Sequence, residues 1–336
     1  MSLIFCDSFD HYSSLLSPNG KYDSAGSGCS ISTVPGQSRT GPGCLSITSG
    51  AFGPKKFFSP TTDLLVATAW YSTGEGDCIW LCDSNFQSGS QVWRLFCHVN
   101  GSVSVAERTN GPITGQSGPG FVVFGAYNSV AIRATYAGGL TWTLRVYVNG
   151  ALVLTIPPTD PVTASVTLDA FALMGPGGGA STCFHDDVYA LDCTTPPHNG
   201  YLGALRCYAS VPVGNGSPLQ WTPLAGTNWS QVNEIPPDGD ASYNSDGNVG
   251  DADQYLHPLS IPTNAQIFAV QHCMDLEVDS GARSVTSDIA GVLNPVGIPL
   301  ASGYVIRTWP YDENPATLAP WQVADFPLLA GPSVSA

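Results

Sequence analysis

Apolar and polar side chains alternate one by one along most of this chain, in short runs bounded by Gly, Pro, Asn, Asp and Ser. A period of two marks a strand with one face buried, and helical periodicity is nearly absent. In the first half the alternation predicts strands over Ser2–Cys6, Cys44–Thr48, Leu64–Tyr71, Cys78–Cys82, Val92–Val99, Ser102–Glu107, Ser129–Tyr136, Thr141–Val148 and Ala151–Ile156, with Phe171–Met174 and Phe184–Leu191 closing it. Asn100-Gly101 and Asn149-Gly150 each separate two alternating runs, which predicts two hairpins with type I′ turns, because both residues of the pair tolerate positive φ. The glycine-rich run from Gly175 to Ala180 lies between two predicted strands and lacks a following helix or lysine, so a phosphate cradle is excluded. The second half is again β-rich but less regular: strands are expected over Tyr201–Tyr208, Gln266–Gln271, Met274–Val278 and Gly303–Thr308, and a short helix over Ser284–Leu293.

The length of 336 residues is enough for two domains, and the Pro-Pro stretch at 193–200 is the expected linker between domains at 1–195 and 200–336. Hydrophobic residues at 43% exclude a disordered chain. The net charge of −15 leaves no Lys/Arg cluster, since the only lysines are Lys21, Lys55 and Lys56; nucleic acid and anionic membrane are therefore not expected as partners. The N-terminal MSLIFCDSFDHY has no basic segment ahead of an apolar one, so no secretion signal is expected. The ten cysteines are scattered through alternating runs, which suits free thiols packed as small hydrophobes in a reducing compartment.

Two resemblances sharpen the picture. VYVNGALV with its hairpin, and FHDDVYALD, resemble signature strands of laminin-G or concanavalin A-like jelly rolls, implying an all-β fold: a jelly-roll sandwich followed by a second, more irregular β-rich domain. FDHY at 9–12, YLGALRCYASVPVGNG at 201–216, WTPLAGTNWSQVNE, DASYNSDGNVGDADQY, IFAVQ, DSGARSV and ENPATLAPW at 313–321 follow in an order that resembles a family of tailed-bacteriophage virion proteins. Ala204 stands where that family has an acid, and Glu313-Asn314-Pro315 replaces its Thr-Asp-Pro. The resemblance implies assembly in a bacterial cytoplasm, residence in the virion, contacts with major capsid or tail proteins and a homo-oligomer; it supplies no catalytic residues.

Several residue groups are candidate sites. His185-Asp186-Asp187 would turn only His185 and Asp187 to one strand face, too few ligands for a transition metal. Ser242, Asn244, Asp246, Asn248 and Asp253, with Asp238, Asp240 and Asp251 nearby, follow an oxygen-ligand loop that would suit calcium; a solvated loop is the favoured reading, because position 1 is Ser and position 12 is Asp. Asp275, Glu277 and Asp279 alternate as glycosidase carboxylates would, or as the solvent face of a strand. Trp221, Trp229, Trp309 and Trp321 lie near turns, where exposed rings could stack on a sugar or anchor a neighbouring subunit. No Gly-x-Ser-x-Gly elbow occurs. The leading expectation is a non-enzymatic structural protein on a phage exterior, without cofactor. The alternative is a receptor-recognition module of a tail fibre that binds or cleaves host glycans.

Overall fold

The computed structural model describes residues 2–16, 20–48, 53–83, 91–107, 111–159, 166–176, 181–259, 261–279, 281–300 and 302–335. It is all-β, and the chain forms two compact units: Met1–Asp10 with Tyr22–Tyr208, and His11–Lys21 with Ala209–Ala336. The division follows Tyr208, beyond the Pro-Pro stretch expected to be the linker.

The first unit is a jelly-roll sandwich of antiparallel sheets. One sheet has the order β12 (Ala151–Thr159), β11 (Thr141–Val148), β10 (Tyr127–Gly138), β5 (Asp63–Ser72), β14 (Thr182–Asp192), β3 (Cys44–Thr48), β2 (Cys29–Ser32), with β1 (Leu3–Asp7) also on β14. The other has the order β4 (Lys55–Thr61), β13 (Leu168–Leu173), β6 (Gly76–Cys82), β7 (Gln91–Cys97), β8 (Val103–Glu107), β9 (Ile113–Gln116). Alternation dictates which side chains face inward. Trp142, Leu144, Val146 and Val148 of β11 are buried, while Thr141, Thr143, Arg145 and Tyr147 between them are half-buried. Phe5 of one sheet meets Phe171 of the other at 5.8 Å between ring centroids. Each such fully buried large side chain contributes about 1.5–3 kcal/mol. Where the sheet edges meet, Gly115 is required: a Cβ there would stand 2.8 Å from Ile156 Cγ1.

The two Asn-Gly hairpins differ. Asn149 (φ 49°) and Gly150 (φ 90°) form the expected type I′ turn between Val148 and Ala151. At the other, only Gly101 has positive φ (78°); Gly101 N–H donates to His98 O and His98 N–H to Ser102 O, so the turn is centred on Val99-Asn100 and Gly101 is a bulge. Asn100 Oδ1 accepts from Ser102 N–H at 3.0 Å, a local bond that competes with the tighter turn. The Gly175–Ala180 run connects β13 to β14, but residues 177–180 lie outside the described residues.

In the second unit the main sheet runs β15 (Gly214–Leu219), β18 (Asp253–His257), β24 (Leu328–Ser335), β20 (Ser284–Ile289), β21 (Val292–Leu293), with β22 (Ile298–Pro299) on β20. Two pairs accompany it: β16 (Thr222–Pro223) with β17 (Asn244–Ser245), and β19 (Val270–Leu276) with β23 (Val305–Tyr311). Ile289, Trp309, Tyr311, Trp321, Leu328 and Ala330 form its core. The helix expected over Ser284–Leu293 is instead a hairpin: Ala290 (φ 53°) and Gly291 (φ 83°) turn the chain, and β-branched Val285, Thr286 and Ile289 suit the strand. Tyr201–Tyr208, expected as a strand, pairs with none among the described residues. Its backbone is held by side chains: Tyr189 OH donates to Gly203 O, Arg39 Nη1 to Leu205 O, and Cys207 N–H to Asp187 Oδ1.

Candidate functional site

The His-Asp-Asp cluster does not follow the alternation expected of it. Asp186 pairs with Ala69 and Tyr189 with Ala67, so Asp187 and Val188 together face Thr68 in a bulge, with Asp187 at φ 49°. All three polar side chains are buried. His185 Nε2 donates to Met174 O at 2.8 Å, and burial lowers its pKa to about 4, keeping the ring neutral. Asp186 accepts from Arg39 N–H (2.7 Å), Thr40 N–H (2.9 Å) and Asp187 N–H (2.7 Å). Asp187 accepts from Arg39 Nη1 (2.9 Å), Thr40 Oγ1 (3.0 Å) and Cys207 N–H (2.8 Å). These carboxylates fasten irregular backbone to the sheet.

Among the described residues no three His, Cys, Asp or Glu side chains are grouped to hold a metal ion, and the oxygen-ligand candidates are engaged in bonds within the fold. Asp253 is fully buried and accepts four bonds: Oδ1 from Gln220 N–H (2.7 Å) and Trp221 N–H (2.9 Å), Oδ2 from Asn228 Nδ2 and Tyr255 OH (both 2.8 Å). Asn244 Nδ2 donates to Asn228 O and Tyr255 OH, while its Oδ1 is buried without a hydrogen-bond partner among the described residues. Ser242 Oγ donates to Glu234 and Asp238, while Asp246 receives Asn248 N–H. Of the four tryptophans, Trp309 (3% exposed) and Trp321 (2%) are core residues whose indoles donate to Val296 O and Tyr311 O, a correction to their expected exposure at turns. Trp221 and Trp229 are half-buried, bracing Asn228, which ties the Trp221 carbonyl to Asp253. Asp275, Glu277 and Asp279 do not share a strand face, because β19 ends at Leu276. Asp275 is raised to about 6 by burial and then by Glu277.

The grouping with most chemistry lies on the outer face of the β4–β9 sheet. Strand β7 turns Trp93, Leu95 and Cys97 into the core, so Arg94, Phe96 and the following His98 stand on the opposite side, half-buried. Register carries one row across the sheet: Lys55 opposite Ala172, Ala172 opposite Trp80, Trp80 opposite Arg94, Arg94 opposite Ala106. An irregularity between Asp77 and Ile79 lets Asp77, opposite Phe96, join that face. Its carboxylate lies 3.6 Å from Arg94 Nη1; burial raises its pKa, and Arg94 offsets part of that. Arg94 Cζ stands 6.0 Å from the Phe96 ring centroid, and the His98 ring packs on the same phenyl at 4.8 Å. His98 Nε2 is 2.8 Å from Ser104 Oγ. Phe57, 41% exposed, holds Lys55 Nζ at 5.7 Å. From Lys55 to Arg94 is three strand steps, about 14 Å. Arg94 Nε is buried without a hydrogen-bond partner among the described residues, although Arg94 has a carboxylate beside it. The alternation in VWRLFCH contained the signal that groups Arg94, Phe96 and His98.

No protein-family model matches the chain, and no curated protein does. Among solved structures it is similar to an endo-β-1,4-glucuronan lyase from the fungus Trichoderma reesei (11% identity, TM-score 0.39, 56% of this chain and 95% of that one). It is also similar to the alginate lyase Aly36B (13%, 0.39, 55% and 95%) and to a tetrameric galectin from the ball sponge Cinachyrella sp. (14%, 0.31, 41% and 97%). Two of these neighbours are named as lyases, against the expectation that the chain is not an enzyme.

Proposed function

We propose that the first unit engages an anionic polysaccharide on the outer face of its β4–β9 sheet. One observation carries this reading: a guanidinium whose Nε has no acceptor among the described residues and whose Nη1 lies 3.6 Å from its neighbouring carboxylate, on a face that also holds half-buried Phe96 and Lys55, Trp80 of the same row being buried. Aromatic faces suit the C–H face of a sugar, and a guanidinium takes a carboxylate in two-point fashion. In a chain with 11 basic residues against 26 acidic ones, two cations three strands apart are a local reversal of charge. The row spans the length of a short oligosaccharide. Elimination from a uronate polymer needs a cation against the carboxylate where negative charge grows and a base for the adjacent proton. Arg94 and His98, both packed against the Phe96 ring, supply both types of group. The setting we propose is the surface of a tailed-phage particle, which the order of motifs from FDHY to ENPATLAPW supports.

The test is titration of the whole chain with uronate-containing and neutral oligosaccharides, with unsaturated product followed by ultraviolet absorbance. Binding should favour the uronates and weaken at least about tenfold in Arg94→Ala, with partial retention in Arg94→Lys. His98→Ala should keep binding and lose turnover. Equal affinity for neutral glycans, or an Arg94→Ala variant that binds as the parent does, would refute the reading.

A further inference from the structure

Ten free thiols are present, and two pairs of them neighbour one another: Cys78 with Cys97, and Cys6 with Cys207. The pairs differ in access. Cys78 and Cys97 are wholly buried in the sandwich, beyond the reach of an oxidant. Cys6 and Cys207 are half-buried. Cys6 projects from β1 opposite Tyr189 of β14, on the face away from Phe5 and Asp7. Cys207 rests on the same stretch of β14: its Sγ lies 3.6 Å from Val188 O, and its N–H donates to Asp187.

Cys207 ends the strap that crosses this sheet outside any strand. Tyr201 stacks on Tyr147 (4.5 Å, 19° between planes), and its hydroxyl lies 3.1 Å from Ser129 Oγ. Gly203 O, Leu205 O and Cys207 N–H are each held by a side chain of the sheet or of the loop at Arg39. The strap therefore has no ladder of its own, and its far end is fixed at the thiol pair. We infer that Cys6 and Cys207 form a reversible disulfide that clasps the strap Tyr201–Cys207 to β1. With oxidised glutathione as oxidant, one thiolate attacks the glutathione disulfide, forming a mixed disulfide and releasing a glutathione thiolate. The second protein thiolate then attacks the protein sulfur of that mixed disulfide and expels the second glutathione. The protein loses two protons and two electrons, and two molecules of reduced glutathione form. The neighbouring Cys6 thiol, then burial, and then Asp187 and Asp7 nearby hold the thiol of Cys207 well above its ordinary pKa. Closure should accordingly be slow at neutral pH and faster at about pH 9.

The whole chain is incubated with oxidised glutathione or with a phosphine reductant, alkylated, and mapped by peptide mass spectrometry without reduction. The expected result is one dominant cross-linked peptide pair containing Cys6 and Cys207, lighter by two hydrogens than the reduced pair. It should be accompanied by a Tm rise of several degrees that reductant reverses. Cys6→Ser should leave Cys207 as a glutathione adduct. The inference is overturned if both residues remain alkylated after oxidation, or if either is found joined to another cysteine. The parent chain alone decides this, whatever the variant's folding yield.

Discussion

Asp253→Asn is the substitution that separates a structural carboxylate from a calcium ligand. In the parent, Oδ1 receives two backbone N–H groups, from Gln220 and Trp221, and Oδ2 receives Asn228 Nδ2 and Tyr255 OH. An asparagine keeps an oxygen for the backbone pair and then presents its amide hydrogens to Asn228 and Tyr255. Asn228 Nδ2 already donates to Trp221 O, so its second hydrogen is left facing another donor. Tyr255 already receives Asn244 Nδ2 and would have to find a new acceptor for its own proton. One buried donor orphaned and one hydroxyl displaced cost about 1–3 kcal/mol each, together about 2–6 kcal/mol.

The assay is chemical denaturation followed by tryptophan emission, since Trp221 and Trp229 flank the network and report its loosening. A loss of about 3 kcal/mol corresponds to about 10 °C in Tm for a unit of this size. Calcium should change neither the parent nor the variant. A loss below about 1 kcal/mol, or a calcium-dependent Tm in the parent that Asp253→Asn abolishes, would refute the reasoning and restore the oxygen-ligand loop as a metal site.

Acidification should destabilise the second unit through His257 and His272, whose rings are 6.2 Å apart and which burial lowers to about 4 and about 3. The unfolded chain takes up these protons from about pH 6.5 downward while the folded chain resists until near its own values, so this stability is complete above pH 6.5 and is lost as pH falls. Between about pH 8 and pH 5 each imidazole accounts for up to about 2 kcal/mol. His272→Asn, which retains a polar partner for Ser287, should flatten the slope in urea midpoints by that amount, and an unchanged slope would exclude the pair as its source. Gly150→Ala places a methyl in open space and should cost about 1 kcal/mol through φ alone, whereas Gly115→Ala puts one 2.8 Å from Ile156 Cγ1 and should cost about 1–3 kcal/mol by overpacking. Thermal unfolding with that order reversed would contradict the seam between β9 and β12.

The sandwich was legible because each strand carries its own evidence. Thr141–Val148 and Cys44–Thr48 end where the alternation ends, since burial of one face selects the register. Ser284–Leu293 misled because Ala290-Gly291 turns the chain as Asn-Gly would, without the polar residue that usually marks such a turn. Tyr201–Tyr208 has strand-like composition, but its backbone partners are side chains of Tyr189, Arg39 and Asp187, and no local pattern encodes those. Of the candidate residues, Trp309 and Trp321 sit beside turns in sequence and inside the core in space. Arg94, Phe96 and His98 followed from the alternation of VWRLFCH, but their meeting with Asp77, Trp80 and Lys55 depends on cross-strand register and on an irregularity in β6.

The acidic residues show a common cause for what was misjudged. A chain with 37 glycines, 27 prolines and little helix has many backbone N–H groups outside any ladder, and each must find an acceptor or water. Short carboxylates meet that need repeatedly: Asp10 for Gly43, Asp23 for Phe57, Asp186 for Arg39 and Thr40, Asp187 for Cys207, Asp253 for Gln220 and Trp221, Asp288 for Gly291. Acid clusters in such a sequence are therefore weak evidence for metal or catalysis, because the fold consumes them as receivers of backbone donors. Guanidiniums also serve the fold where an acceptor faces them, as Arg39 does with Leu205 O and Asp187, and Arg133 with Asp63. A buried guanidinium edge without an acceptor among the described residues, as at Arg94 and at Arg307, is a feature that the fold's own hydrogen bonding does not account for, and on the proposed reading a ligand carboxylate is the group that would complete Arg94.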